Sequence, residues 1–261
     1  MSRRRTLWAA CVFLLLAIVH TWPLVTGLNH LSRWNHDEWL NAWAVSWIAH
    51  QLPRDPVHLF DANIFYPERL TLAYSDHLFI PGIFVAPLIW AGVSPVLAYN
   101  LLLMAGFALT GWVMSLVIYR WTGSRTAGLI SGSLVAFNAF TLTRFPQIQD
   151  QHLEFLPMAL LALDRLLRVP SVRHALSLAG GFVLQALTSG YWLLFTTVAM
   201  VAGAAVRPGE WAARTRRSFV LYAALAGVVA GVVMLPFLVP YWTASREQGL
   251  TRSLETVSLY S

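Results

Sequence analysis

An all-α, polytopic transmembrane helical bundle of about seven crossings is the fold class this sequence predicts, and three observations predict it. Of 261 residues, 57% are hydrophobic and only 11% charged, against about 25% charged in ordinary soluble domains. The apolar residues gather in runs close to the ~20 residues that span hydrocarbon, and the mean hydropathy is +0.58. The cations fall between those runs, where they set topology. A net charge of +6 and a pI near 10.0 do not point to nucleic acid, because such a surface needs cations gathered on one folded face. All eighteen basic residues are arginine, a composition bias that the spacing does not demand.

The first run, 7 to 27, follows Arg3, Arg4 and Arg5 and so imitates a signal peptide. Trp22-Pro23 and the residues after it offer no small-x-small cleavage site, so an uncleaved signal anchor is expected. Cys11 inside this run is the single cysteine; it allows no intrachain disulfide and argues against a cysteine metal cage. Further spans are expected at 97 to 119, 126 to 142, 153 to 168, 174 to 189, 190 to 206 and 218 to 239. A weaker run, 78 to 95, is interrupted by Pro81, Pro87 and Pro95. If it crossed fully, Arg120, the cluster from Arg165 to Arg173 and the cluster from Arg207 to Arg217 would face outward, against the positive-inside rule. If it turns back as a re-entrant or interfacial element packed on protein, every cluster joins Arg3 to Arg5 on the cytoplasmic side. The sequence thus predicts a multi-pass protein of the inner (plasma) membrane with a cytoplasmic N-terminus.

Four polar stretches then share the outer side: 28 to 77, 143 to 152, the Ser189-Gly190-Tyr191 turn, and 240 to 261. Within the first, 37 to 52 reads as a helix lying at the interface, with Trp39, Trp43 and Trp47 four apart at the depth tryptophan prefers. The last stretch carries Arg246, Glu247, Arg252 and Glu255. Residues 1 to 261 are therefore read as one transmembrane domain, expected to be the front part of a longer protein.

Candidate chemistry lies in these outer stretches. Asp37 and Glu38 open the interfacial helix, where one carboxylate can take a proton from an acceptor hydroxyl while its neighbour orients it or binds a cation; the same pair also suits a helix start. Between Arg144 and Glu154 the chain places one cation, two carboxylates, an imidazole and three amides in eleven residues, and ionisable groups beside hydrocarbon usually pair or act. Arg144, with Gln147 nearby, suits a lipid phosphate, since a guanidinium pairs two oxygens. Asp150 and His152 are candidate ligands of a divalent cation, Mg or Mn. Asp61 and the Asp76-His77 pair are candidates to line a sugar pocket, and Tyr191 with Trp192 to stack on a sugar ring. Each of these also fits a solvated loop or an aromatic belt. No nucleotide loop, zinc signature or serine-nucleophile elbow occurs.

The order of these features resembles the GT-C superfamily of membrane glycosyltransferases, the group that includes oligosaccharyltransferases, protein mannosyltransferases and aminoarabinose transferases. Asp37-Glu38 matches its acidic pair on a membrane-lying helix, Arg120-Trp-Thr-Gly-Ser-Arg125 its basic turn, and Asp150-Gln-His152 its second acidic motif, with His where several relatives have Asp. The resemblance covers nearly the whole chain. It implies transfer of a sugar from a polyprenyl phosphate or diphosphate to a glycan, lipid or protein acceptor at the periplasmic or extracellular face. Asp37 would then be the general base, and Arg144 would stabilise the departing phosphate together with a cation at Asp150 and His152. Two alternatives stay open: a transporter or flippase for a lipid-linked sugar, and a non-catalytic relative that keeps the fold. Transporters usually hold ionisable groups near the bilayer midplane, whereas the centres of these spans are nearly free of charge.

Overall fold

The computed structural model describes residues 3–31, 36–211 and 216–249. Asn35 of the acidic-pair segment, Arg214, and Arg252 and Glu255 of the last polar stretch lie outside the described residues. The described chain is all-helical, with no strand among its elements.

Helix α1 (Arg3–His20) is followed by a single 3₁₀ turn at Leu24–Gly27; α2 (His36–Gln51) comes next in the chain, then a long loop and α3 (Phe79–Trp90). Helix α4 (Pro95–Thr122) begins where Pro95 at its first position removes an unneeded N–H and the Ser94 hydroxyl accepts from Leu97 N at 3.2 Å. It ends at Gly123, whose φ of 72° is the left-handed cap that glycine adopts cheaply. Ser124 at once caps α5 (Arg125–Ala136) by accepting from Ala127 N at 3.2 Å, so the two helices turn back as a tight hairpin.

That hairpin is closed by missing side chains. A Cβ on Gly128 would lie 2.6 Å from the Ser115 carbonyl oxygen, and one on Gly132 would strike the Gly111 carbonyl oxygen and the Phe13 ring. The four-residue spacing of Gly128 and Gly132 gives α5 a flat face on which α4 rests backbone to backbone, the small-xxx-small geometry of helix pairs in lipid. Helix α1 runs antiparallel to α4, since Trp112 donates to Thr6 O at 3.1 Å while Asn100 donates to Leu28 O and Leu31 O at 2.8 and 2.9 Å.

The short α6 (Ala139–Thr143), capped by Asn138, precedes an irregular polar segment. Then follow α7 (Phe155–Arg168), α8 (Val172–Ala186), α9 (Gly190–Ala205), α10 (Pro208–Trp211) and α11 (Arg216–Glu247). Two apolar clusters form the core. One joins α1 to α4 through Val45, Ile48, Tyr99 and Phe107. The other joins α7, α8 and α11 through Leu163, Leu166, Leu178 and Phe219, and reaches α3 at Ile80.

Among the described residues three helical runs are long and apolar enough to cross a membrane: Pro95–Thr122, Arg125–Thr143 (α5 with α6), and Arg217–Glu247. The weaker run of the sequence forms a helix of only 12 residues, about 18 Å long at 1.5 Å per residue and too short for the ~30 Å of hydrocarbon. Helices α7, α8 and α9 have 14, 15 and 16 residues, likewise below that length. Of the three tryptophans of α2 only Trp39 is exposed. Trp47 is buried and donates to Leu59 O at 2.8 Å, and Trp43 donates to Asn63 Oδ1 at 3.0 Å. Both indoles hold the first loop, because a loop with many backbone groups to satisfy offers acceptors that lipid does not.

Candidate functional site

The segment between α6 and α7 is built around one carbonyl. Pro146 O accepts from Tyr99 OH at 2.5 Å and from Asn41 Nδ2 at 2.9 Å, which ties the segment to α4 and α2 together. Gln151 Nε2 donates back to Arg144 O at 2.9 Å, closing the loop on itself. On this frame Arg144 Nε donates to Asp150 Oδ2 at 2.5 Å, and the other Asp150 oxygen accepts from Trp192 Nε1 of α9 at 3.2 Å. The Phe140 ring lies 5.2 Å below the Arg144 guanidinium carbon. The guanidinium is thus oriented by a carboxylate and an aromatic face, while its side chain stays 45% exposed.

Gln147 Nε2 donates to Asp37 Oδ2 at 2.5 Å across 110 residues. Asp37 is exposed, whereas Glu38 is 7% exposed. The first turn of α2 therefore presents one carboxylate outward and sinks the other against Tyr99, with which it interacts electrostatically.

Asp76 closes the site from the other side. Its Oδ2 accepts from Ser189 Oγ at 2.8 Å and its Oδ1 from Gly190 N at 2.9 Å. Burial pushes its carboxyl above the ordinary carboxylate range, the two hydrogen bonds oppose that, and the Asp150 charge adds to it. A cavity of about 370 Å³ opens here, lined by Tyr74, Asp76, Gln149, Tyr191 and Tyr241 among others. Tyr241 OH donates to Ser75 O at 2.8 Å and accepts from His77 N at 3.1 Å, fixing α11 to the loop before α3. The polar stretches 28 to 77, 143 to 152 and 189 to 191 thus meet with the described part of 240 to 261, as their hydrogen bonds record. A separate group of arginines lies elsewhere: Arg120, Arg168 and Arg207 stand at or beyond the helix ends remote from the 144 to 154 segment, where Asp164 pairs with Arg168 at 3.0 Å and with Arg207 at 2.7 Å.

Several sequence-predicted residues sit otherwise than expected. His152 does not join Asp150 as a ligand pair. It is 1% exposed, its Nε2 bonds Leu102 O at 3.0 Å and its Nδ1 bonds Glu154 at 2.9 Å, so both ring nitrogens are engaged by protein groups. Both Asp150 oxygens are also engaged. No cluster of three or more His, Cys, Asp or Glu able to hold a metal occurs among the described residues, and this donor set does not fit a resident Mg or Mn ion. The charge-free span centres need a matching correction. Glu154 accepts from Thr110 Oγ1 at 3.4 Å, and Gln151 O accepts from the same hydroxyl at 2.7 Å; Thr110 lies midway along α4. An ionisable pair is therefore buried at that depth, which the chain order 150 to 154 does not reveal.

His77 points inward, ringed by Phe60, Phe79, Phe237 and Tyr241, and burial lowers its pKa to about 4. Asp61 accepts from Leu70 N at 3.0 Å and faces Arg69 at 3.6 Å; it clamps the first loop and does not line the tyrosine cavity. Tyr191 does line it. Of the Asp76-His77 pair it is Asp76 that lines the cavity; sequence reasoning missed Tyr99 and Asn41, whose only signal was a polar group inside or beside an apolar run. No protein-family model matches this chain, and no curated protein or solved structure matches it.

Proposed function

We propose that the chain is a seven-crossing membrane glycosyltransferase of the GT-C type, with α2 lying at the interface and α3 re-entrant, that moves a sugar from a polyprenyl phosphate or diphosphate to a glycan, lipid or protein acceptor at the outer face of the inner membrane. The observation that carries this reading is the Gln147–Asp37 bond at 2.5 Å, by which an exposed carboxylate of α2 lies against the short segment that carries the oriented Arg144. A tyrosine-lined cavity with Asp76 and Gln149 at its wall supplies planar amide and carboxylate groups beside aromatic faces, the chemistry that suits a sugar ring.

In this reading the donor's prenyl chain stays dissolved in lipid and its phosphate meets the outer nitrogens of Arg144. The acceptor hydroxyl oxygen attacks the anomeric carbon from the face opposite the phosphate, and its proton passes to Asp37. The bond from the anomeric carbon to the phosphate oxygen breaks, its electron pair stays on that oxygen, and Arg144 offsets the new charge. The Gln147 amide orients Asp37 by donating to its Oδ2. The shortness of α7 is compatible with a crossing, because the 146 to 154 segment buries its polar groups against α4 and irregular backbone is tolerated at membrane depth when it is buried in protein.

The test is Asp37→Asn in membranes supplied with a labelled lipid-linked sugar. Transfer is expected to fall by about 100-fold or more, the scale of a lost general base, at unchanged protein accumulation. Undiminished transfer refutes the role of Asp37. A second reading, a transporter for a lipid-linked sugar, is favoured by the buried His152–Glu154 pair midway along α4. It requires Glu154→Gln to stop lipid-linked sugar movement while Asp37→Asn leaves it intact.

A further inference from the structure

The end of the molecule remote from the tyrosine cavity holds a second built feature. A cavity of about 390 Å³ lies between the start of α1 and the α4–α5 hairpin, with Arg4, Arg5 and Arg125 on its wall. No acidic residue lines it, and among the described residues none of the three guanidiniums takes part in an ion pair. Arg69, Arg144, Arg168 and Arg207 each face a carboxylate, whereas Arg4, Arg5 and Arg125 share the wall of one cavity that holds none. Three like charges around one cavity repel one another unless an anion sits among them.

The remaining wall says which anion. Trp8 and Leu129 make one side apolar and the Tyr119 hydroxyl adds a polar group, while Leu7, Trp8 and Ile130 beside it are exposed. Two of the helices that frame the cavity, α4 and α5, belong to runs long and apolar enough to cross a membrane. Arg125 opens α5, and Tyr119 lies in the last turn of α4. A charged cavity at the ends of such helices stands at headgroup depth, with its apolar wall continuing toward acyl chains. Basic pockets between membrane helices suit anionic lipid headgroups in this way.

We infer that this cavity binds the phosphodiester headgroup of an anionic phospholipid, held by Arg4, Arg5 and Arg125 with an acyl chain along Trp8 and Leu129. The site shares no residue with the proposed transfer chemistry and stands or falls separately from it.

Native mass spectrometry of the full chain in detergent tests the site, with phosphatidylglycerol and phosphatidylcholine of the same acyl chains offered in competition. Wild type is expected to retain one phosphatidylglycerol in at least tenfold preference, unaffected by millimolar inorganic phosphate. The R4Q/R5Q/R125Q variant is expected to lose about 100-fold in that binding, roughly 5-fold for each guanidinium near the surface. The R165Q/R173Q/R217Q variant, with the same loss of net charge, is expected to stay within 2-fold of wild type. If the triple variant does not accumulate, the single Arg125→Gln is read instead, with a loss of about 5-fold expected. Equal retention of the two lipids, equal losses in both triple variants, an unaltered Arg125→Gln, or displacement by inorganic phosphate overturns the inference; the last would mark a site for a free anion.

Discussion

His77 shows how one residue couples the loop to pH. Its ring is enclosed by Phe60, Phe79, Phe237 and Tyr241, and burial disfavours the charged form, so its pKa falls from 6.5 to about 4. A base with a depressed folded-state pKa contributes stability that is complete above pH 6.5 and is lost as pH falls through 6.5 toward 4, because the unfolded chain takes up the proton first. The loss over that window is on the order of 3 kcal/mol. His77→Phe, which matches its neighbours and removes a buried nitrogen without a partner, is expected to flatten the acid arm of a plot of thermal unfolding midpoint against pH in detergent. A retained slope between pH 6.5 and 4 would assign it to another group. At the same scale, the sequence identified Asp37, Arg144 and Asp150 as groups worth placing, and all three lie on or against the 144 to 151 segment. It misjudged His152, because the partners that turn the ring inward, Leu102 O and the loop's own Glu154, are set by how the segment folds back on α4, and no local pattern encodes that.

The α4–α5 hairpin carries the clearest prediction at the scale of elements. Gly132→Leu is expected to lower the thermal unfolding midpoint markedly, since overpacking at a close helix contact costs about 1–3 kcal/mol or more and the new side chain meets the Gly111 carbonyl and Phe13. Gly227→Leu on α11, where a Cβ meets nothing within 4 Å, is the matched control and is expected to change the midpoint little. Helix positions were largely legible: the run 97 to 119 became Pro95–Thr122, and 37 to 52 became His36–Gln51. Apolar runs mark where a helix is favourable in lipid, and caps such as Ser94 and Gly123 trim its ends. The facing of each helix was less legible. Trp39, Trp43 and Trp47 share a stripe, yet only Trp39 is exposed, because the acceptors that draw in the other two come from residues 59 and 63 on a loop whose path depends on α3 and α11.

At the scale of the whole molecule, the hydrogen bonds from Gln147 to Asp37, Ser189 to Asp76, Trp192 to Asp150 and Tyr241 to Ser75 gather segments more than 100 residues apart, or 42 in the case of Trp192, into one polar end. Arg120 of α4, Arg168 of α7 and Arg207, two residues past α9, stand at the other helix ends. Both groupings matter to the proposed chemistry only if the polar end faces outward and the basic end faces the cytoplasm. The most direct measurement is labelling with a membrane-impermeant maleimide in intact cells, using single cysteines on a Cys11→Ser background. Val57→Cys, Thr143→Cys and Tyr191→Cys are expected to react from outside, and Trp121→Cys, Val169→Cys and Val206→Cys only after permeabilisation. Reaction of Val57→Cys and Thr143→Cys from opposite sides would separate Asp37 from Arg144 and contradict the account.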